Sequence, residues 1–207
     1  MGAGTLRCRD LQAGDILLKV ADSALTSKAI QFGQSLVGGR NPGIVHAGLL
    51  FDSSYMIEAQ AAGITAHDLR VQNRAYGYYV FRCKDANMAR GAGTCAKMMF
   101  DIHSRAGSMK YDIAGAVGSL FGFGTGKPAT PGDMDALLDK ILEGRNQGFF
   151  CSQFVVYVYQ FVAEQCGRPA NSIFSYSDAK ATPSILATSL SKHAMFHEIG
   201  CLFPNER

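Results

Sequence analysis

"IVHAGLLFDSSYMIEAQ", residues 44–60, holds two apolar runs around one polar break. Ile44 to Phe51 is apolar nearly throughout, which suits a central strand buried on both faces. Asp52-Ser53-Ser54 is turn chemistry, and Tyr55 to Gln60 resumes as a second strand, so the stretch predicts a β-hairpin. A three-residue loop pairs Phe51 with Tyr55. Counting back, Gly48 then faces Glu58 and His46 faces Gln60. Glu58 becomes the diagonal neighbour of His46 on one face, within reach of a long side chain. A loop longer or shorter by one residue would put both on the wrong face. An ionisable group in this apolar run needs a partner. Glu58 or Gln60 would orient His46. Glu58 is preferred, because a carboxylate stabilises an imidazolium better than an amide does. Gly48 shares the face of His46 and is expected to leave open space beside the ring.

Outward from the hairpin, "GDILLKV" (Gly14 to Val20) and "YGYYVFRC" (Tyr76 to Cys83) read as further strands. "SALTSKAIQFGQSLVGG" (Ser23 to Gly39) and "ANMARGAGTCAKMMFDIHS" (from Ala86) have helical spacing, the second weakened by Gly91 and Gly93. "CSQFVVYVYQFVAEQCGRP" begins at Cys151. Its β-branched and aromatic content allows a strand, but its length and its Gly167-Arg168-Pro169 ending favour a helix. Residues 114–147 are Gly-rich and are read as an insertion or lid within a single domain spanning residues 1–207. A short helix inside it is capped by Asp133. The fold class expected is α+β, a central antiparallel sheet with a packed helix that presents Cys151.

The totals narrow the function classes. Of 207 residues, 47% are hydrophobic and 18% charged, which fits a chain with a substantial core. The net charge of +3 comes without a dense basic run, so no nucleic-acid partner is expected. The N-terminus lacks the apolar core of a signal peptide, and no run reaches transmembrane length. The reading is a protein made in the cytoplasm without a classical export signal and without stable membrane insertion. Six cysteines are scattered with no CxxC or CxxH pair. Neither a metal site nor a disulfide framework is expected, and no cofactor.

A cysteine in an apolar helix is ordinarily core material. Cys151 differs in standing at a helix start, where free backbone N–H groups and the helix dipole favour a thiolate and can serve an oxyanion. A nucleophilic cysteine also needs a base, and the base an orienting group. His46 and Glu58 are the candidates.

In chain order, "GDILL", "IVHAGLLF", "MIEA", "YD" at Tyr111-Asp112 and "FFCSQFV" resemble the circularly permuted branch of the NlpC-type papain-like enzymes, nearest the YiiX-like proteins. There the His strand comes first and the Cys helix last. The resemblance spans roughly Leu11 to Gly167. It implies Cys151 as nucleophile, His46 as base and Glu58 as orienting acid, in a cysteine peptidase or amidase. It also implies a cleft flanked by the helix that carries Ser27 and Gln31 and lined by Tyr111 and Asp112. With Gln60 and Ser152, residues Gln31, Tyr111 and Asp112 form the expected substrate-binding set. Ile44-Val45-His46 departs from the Tyr-Ser-His that relatives often carry, which touches substrate contacts rather than the triad. His67, His103, His193 and His197 have no matching partner and are read as surface or structural. The other five cysteines are read as buried or inert.

The implied substrate is a peptide or muropeptide of the bacterial cell wall. One setting is an effector delivered by a specialised secretion system into a rival's periplasm, with an immunity protein guarding the producer. The other is recycled muropeptide in the cytoplasm. Two alternatives stay open: lipid acyl chemistry of the lecithin:retinol acyltransferase-like kind, served by "GSLFGFGTG", and a catalytically inactive binding module.

Overall fold

The computed structural model describes residues 4–20, 44–60, 63–105, 151–175, 181 and 183–205. The hairpin forms as the loop length dictates. Strands β3 (Ile44–Leu50) and β4 (Tyr55–Gln60) pair Leu49 with Ile57 and Leu50 with Met56. The Phe51 amide donates to the Tyr55 carbonyl at 3.2 Å. Asp52 fixes the loop, its carboxylate accepting from the amides of Ser54 and Tyr55 at 2.7 and 2.8 Å. This is the short-range bonding that makes aspartate a turn residue.

Five more described strands complete the sheet: β1 (Thr5–Leu6), β2 (Ile16–Val20), β5 (Gly63–Asp68), β6 (Tyr78–Cys83) and β7 (Phe196–Leu202). Their order is β1-β7-β6-β2-β3-β4-β5. The expected antiparallel sheet holds from β7 through β5, but the β1–β7 pair is parallel, so the sheet is mixed. The chain is α+β. Beyond the expected strands, β5 extends the hairpin into a meander, and the C-terminal β7 lies between β1 and β6.

Both faces of the sheet are buried, which is why its strands read as continuous apolar runs. On one face, Ile16, Leu18, Leu49, Ile57 and Phe81 pack under three helices: α1 (Ala86–Arg105), α2 (Cys151–Gln165) and α3 (Pro183–Lys192). On the other, Leu17, Leu50, Met56, Tyr78 and Val80 meet Leu11, Leu69 and Leu202 in a smaller core. The alternation of Ile16, Leu17 and Leu18 between the two cores is the period-2 rule of a strand.

The ambiguous apolar stretch is a helix. α2 packs on α1 and β3 and buries Phe154, Val155, Val158, Tyr159 and Val162. Tyr159 is fully buried, and its hydroxyl donates to the Gly14 carbonyl at 2.6 Å. The helix stops in a Schellman motif. Gly167 takes φ +72°, its amide bonds Glu164, and the Arg168 amide bonds Ala163. Gly91 and Gly93, read as weak points of α1, are close-approach sites. A Cβ at Gly91 would lie 2.9 Å from Val162 Cγ1, and one at Gly93 2.9 Å from the Leu50 carbonyl oxygen. Packing of α1 outweighs the helix propensity lost there.

The helix expected over Ser23 to Gly39, the Gly-rich segment 114–147 and its Asp133-capped helix lie outside the described residues.

Candidate active site

His46 stands near the start of β3, at an irregularity in the β2–β3 ladder. Lys19 pairs with His46 while Val20 pairs with Ile44, leaving Val45 as the extra residue. Such a bulge re-aims the side chains beside it. Lys19, opposite His46, turns away to place its ammonium 2.9 Å from the centre of the Tyr76 ring.

His46 Nε2 lies 2.7 Å from Glu58 Oε2. The diagonal pairing read from the loop length is the one the strands adopt. Glu58 is only 3% exposed, so its carboxylate depends on neighbouring donors. Gln60 supplies one, donating from its amide to Glu58 Oε1 at 2.6 Å. Glu58 is therefore the residue on His46, and Gln60 stands behind Glu58 rather than on His46. Gln60, exposed at the end of β4, thus braces the carboxylate.

Cys151 is the first residue of α2 and is 8% exposed. Burial by itself lowers the imidazole's proton affinity. Hydrogen bonds to Cys151 and to Glu58, with the charge of both, outweigh it and carry His46 up to about 9. The three residues thus meet in one place although they come from a strand start, a strand end and a helix start.

Three expectations are corrected. Gly48 does not leave a void beside the ring, since a Cβ there would meet Met56 Cγ at 2.7 Å and the Ile57 carbonyl at 3.1 Å. Ser152 is fully buried and its hydroxyl donates to the Ala181 carbonyl at 2.6 Å, so it ties α2 to the segment before α3 instead of facing a substrate. His67, read as without a partner, lies with Nε2 3.4 Å from Glu58 Oε1 and 3.1 Å from the Thr65 hydroxyl. Thr65 pairs with Glu58 across β4 and β5, so His67 is again the diagonal neighbour. The rule that found Glu58 from His46 would have found His67 from Glu58, had β5 been read as a strand. Tyr78 also borders the site. Burial, with the charge of Glu58 adding, pushes its phenol up.

Gln31, Tyr111 and Asp112 lie outside the described residues. Burial pushes the thiols of Cys83 and Cys201 up to about 11 and that of Cys95 up to about 12. Cys8 and Cys166 are raised by the same cause. All six thiols are free of disulfides. His193 and His197 stand four apart, but His193 accepts from the Met195 amide and packs on Phe174 and Phe196, while His197 is an exposed residue of β7. Among the described residues no group of three or more His, Cys, Asp or Glu side chains could hold a metal. No described helix is long and apolar enough to cross a membrane.

No protein-family model matches this sequence, and no curated protein matches it either. What the arrangement can do chemically is read from its geometry. A helix N-terminus presents a sulfur to an imidazole, and a braced, buried carboxylate holds that imidazole from behind. This is the layout of an activated thiol nucleophile.

Proposed function

We propose that this chain is a cysteine hydrolase of the circularly permuted papain-like, NlpC-type kind, cleaving an amide bond with Cys151, His46 and Glu58. The observation that carries the reading is the contact of 2.7 Å between His46 Nε2 and Glu58 Oε2, with Cys151 near enough to help raise the proton affinity of the same imidazole.

In the proposed reaction the thiolate attacks the carbonyl carbon. The backbone N–H of Cys151 donates to the oxyanion. His46 gives its proton to the leaving amine, and a thioester forms on Cys151. Water, losing its proton to His46, then releases the acid and restores the thiol–imidazole pair. Loss of His46 costs on the order of 10²–10⁴ in rate.

The substrate class proposed is a peptide amide of the bacterial cell wall, met as an exported antibacterial effector guarded by an immunity protein. The test is incubation with purified peptidoglycan and, separately, phospholipid vesicles, beside the Cys151→Ala variant. New amino groups released by the native chain alone support the reading. Fatty acid release in place of amines would move the chemistry to acyl esters. Full activity in Cys151→Ala would sink the mechanism.

A further inference from the structure

A second concave surface lies at the far end of the same strands. Lys19 pairs with both His46 and Tyr78, which places the start of β6 beside the candidate active site. β6 then runs from Tyr78 to Cys83. Five residues at ~3.3 Å each separate the two ends by roughly 16 Å. At the Cys83 end is a cleft of about 410 Å³, between β6, the start of α1 and β7. That volume is in the range of small-molecule sites, ~300–1,000 Å³.

The cleft's lining is one-signed. Its ionisable residues are Arg82, Lys84, Arg90, His197 and Cys83, with no carboxylate among them. Burial pushes the Cys83 thiol up to about 11, so it stays neutral at physiological pH. Two acids beside the lining are already committed. Asp15 grips Arg82 through two bonds of 2.8 and 2.6 Å. Asp85 pairs with Arg168 at 2.9 Å and caps the amides of Asn87 and Met88. Arg82, held also by the Asp10 carbonyl, forms a fixed wall, and Lys84 is tethered to the Ala194 carbonyl at 2.7 Å. By contrast, Gln12 and Arg90 bond Asp15 and Thr94 through their backbones only, and the side-chain ends of Arg90, His197 and Gln12 meet no hydrogen-bond or ion-pair partner among the described residues. Among the described residues, three polar side-chain ends without a partner therefore line one cleft beside a tethered ammonium.

We propose that this cleft binds the phosphate group of a small organic phosphate, at a site separate from Cys151, His46 and Glu58. A monoanion would gain little from exposed cations in water. A phosphate dianion offers several acceptor oxygens to the Arg90 fork and the Lys84 ammonium together, which is the recognition these side chains perform best. The cleft's volume leaves room for an organic group beyond the phosphate.

The test uses the full-length chain, ¹⁵N-labelled, titrated with inorganic pyrophosphate as probe in low-salt buffer, with sodium chloride of matched ionic strength as control. The expected result is saturable shifts confined to Lys84–Arg90 and His197, with Kd on the order of 1 mM or tighter. Arg90→Glu and Lys84→Ala are exposed positions that leave the core untouched. Lys84→Ala should weaken binding about tenfold, the loss of one charge-assisted contact, and Arg90→Glu, which reverses a charge, by more than that. Shifts equal to those in sodium chloride, no saturation, or unchanged affinity in both variants would overturn the proposal. Alkylation of Cys151 in the same variants should be unchanged. The outcome therefore stands apart from the fate of the hydrolase reading.

Discussion

Glu58→Gln removes one charge and almost no volume from the centre of the candidate site. In the native chain the carboxylate lies 2.7 Å from His46 Nε2 and is 3% exposed. An opposite charge this close raises an imidazole by about 1–3 units. Cys151 continues to support His46 in the variant. The expected outcome is a fall from about 9 by about 1–2 pH units. The new amide also faces a conflict. Gln60 donates to Oε1 of the native carboxylate, so the oxygen of the introduced amide satisfies either Gln60 or His46, and its NH₂ group must face the other.

The sign for stability follows from proton linkage. His46 keeps its proton to about pH 9 when folded, against an ordinary 6.5. The stabilisation is complete below pH 6.5 and is lost as pH rises through 9. Its full size is about 3 kcal/mol, discounted to about 1–2 kcal/mol because a fifth of the side chain meets solvent. In Glu58→Gln this loss should shrink. The assay is a histidine-selective NMR titration, with the His46 resonance assigned by its absence in His46→Gln, beside denaturant melts at pH 6 and 9.5. A native midpoint near 6.5, or the same midpoint in both proteins, refutes the reasoning.

Other substitutions probe the frame. Gly14 sits at φ +84°, and a Cβ there would collide with the backbone carbonyl of Ala89. Gly14→Ala should therefore lose more than about 3 kcal/mol in denaturant melts, since neither strand nor helix can yield. Ser152→Ala removes the donor to the Ala181 carbonyl and should cost about 1–3 kcal/mol. The same variant should leave Cys151 alkylation within about threefold, which separates a structural serine from a substrate contact. Asp15→Ala strands the Arg82 guanidinium beside a 1% exposed position and should cost about 3 kcal/mol in the same melts.

The hairpin was legible because its information is local. Asp52 dictates a three-residue loop, the loop dictates the register, and the register sets Glu58 diagonal to His46. α2 was legible from its length and its glycine stop. β7 was hidden because "FHEIGCL" does not alternate cleanly. A register shift opposite Val80 and Phe81 breaks its period, and its pairing with β6 spans more than a hundred residues. β5 was hidden by its polar end, and with it the approach of His67 to Glu58. Ser152 misled for a different reason. A polar residue beside a candidate nucleophile suggests a site, but its hydroxyl is consumed by a backbone carbonyl brought in from residue 181. Gly48 misled because a strand glycine marks either a void or a tight contact, and here Met56 makes it a contact.

Site-resolved alkylation measures directly whether Cys151 is an activated thiol. The native chain is treated with iodoacetamide at mildly acidic pH and each cysteine is followed by mass spectrometry. Cys151 should be modified first despite its burial, ahead of the more exposed Cys8 and Cys166, and His46→Ala should abolish the preference. Modification of Cys151 no faster than Cys8 or Cys166, or a preference that survives loss of His46, would contradict the activated thiol.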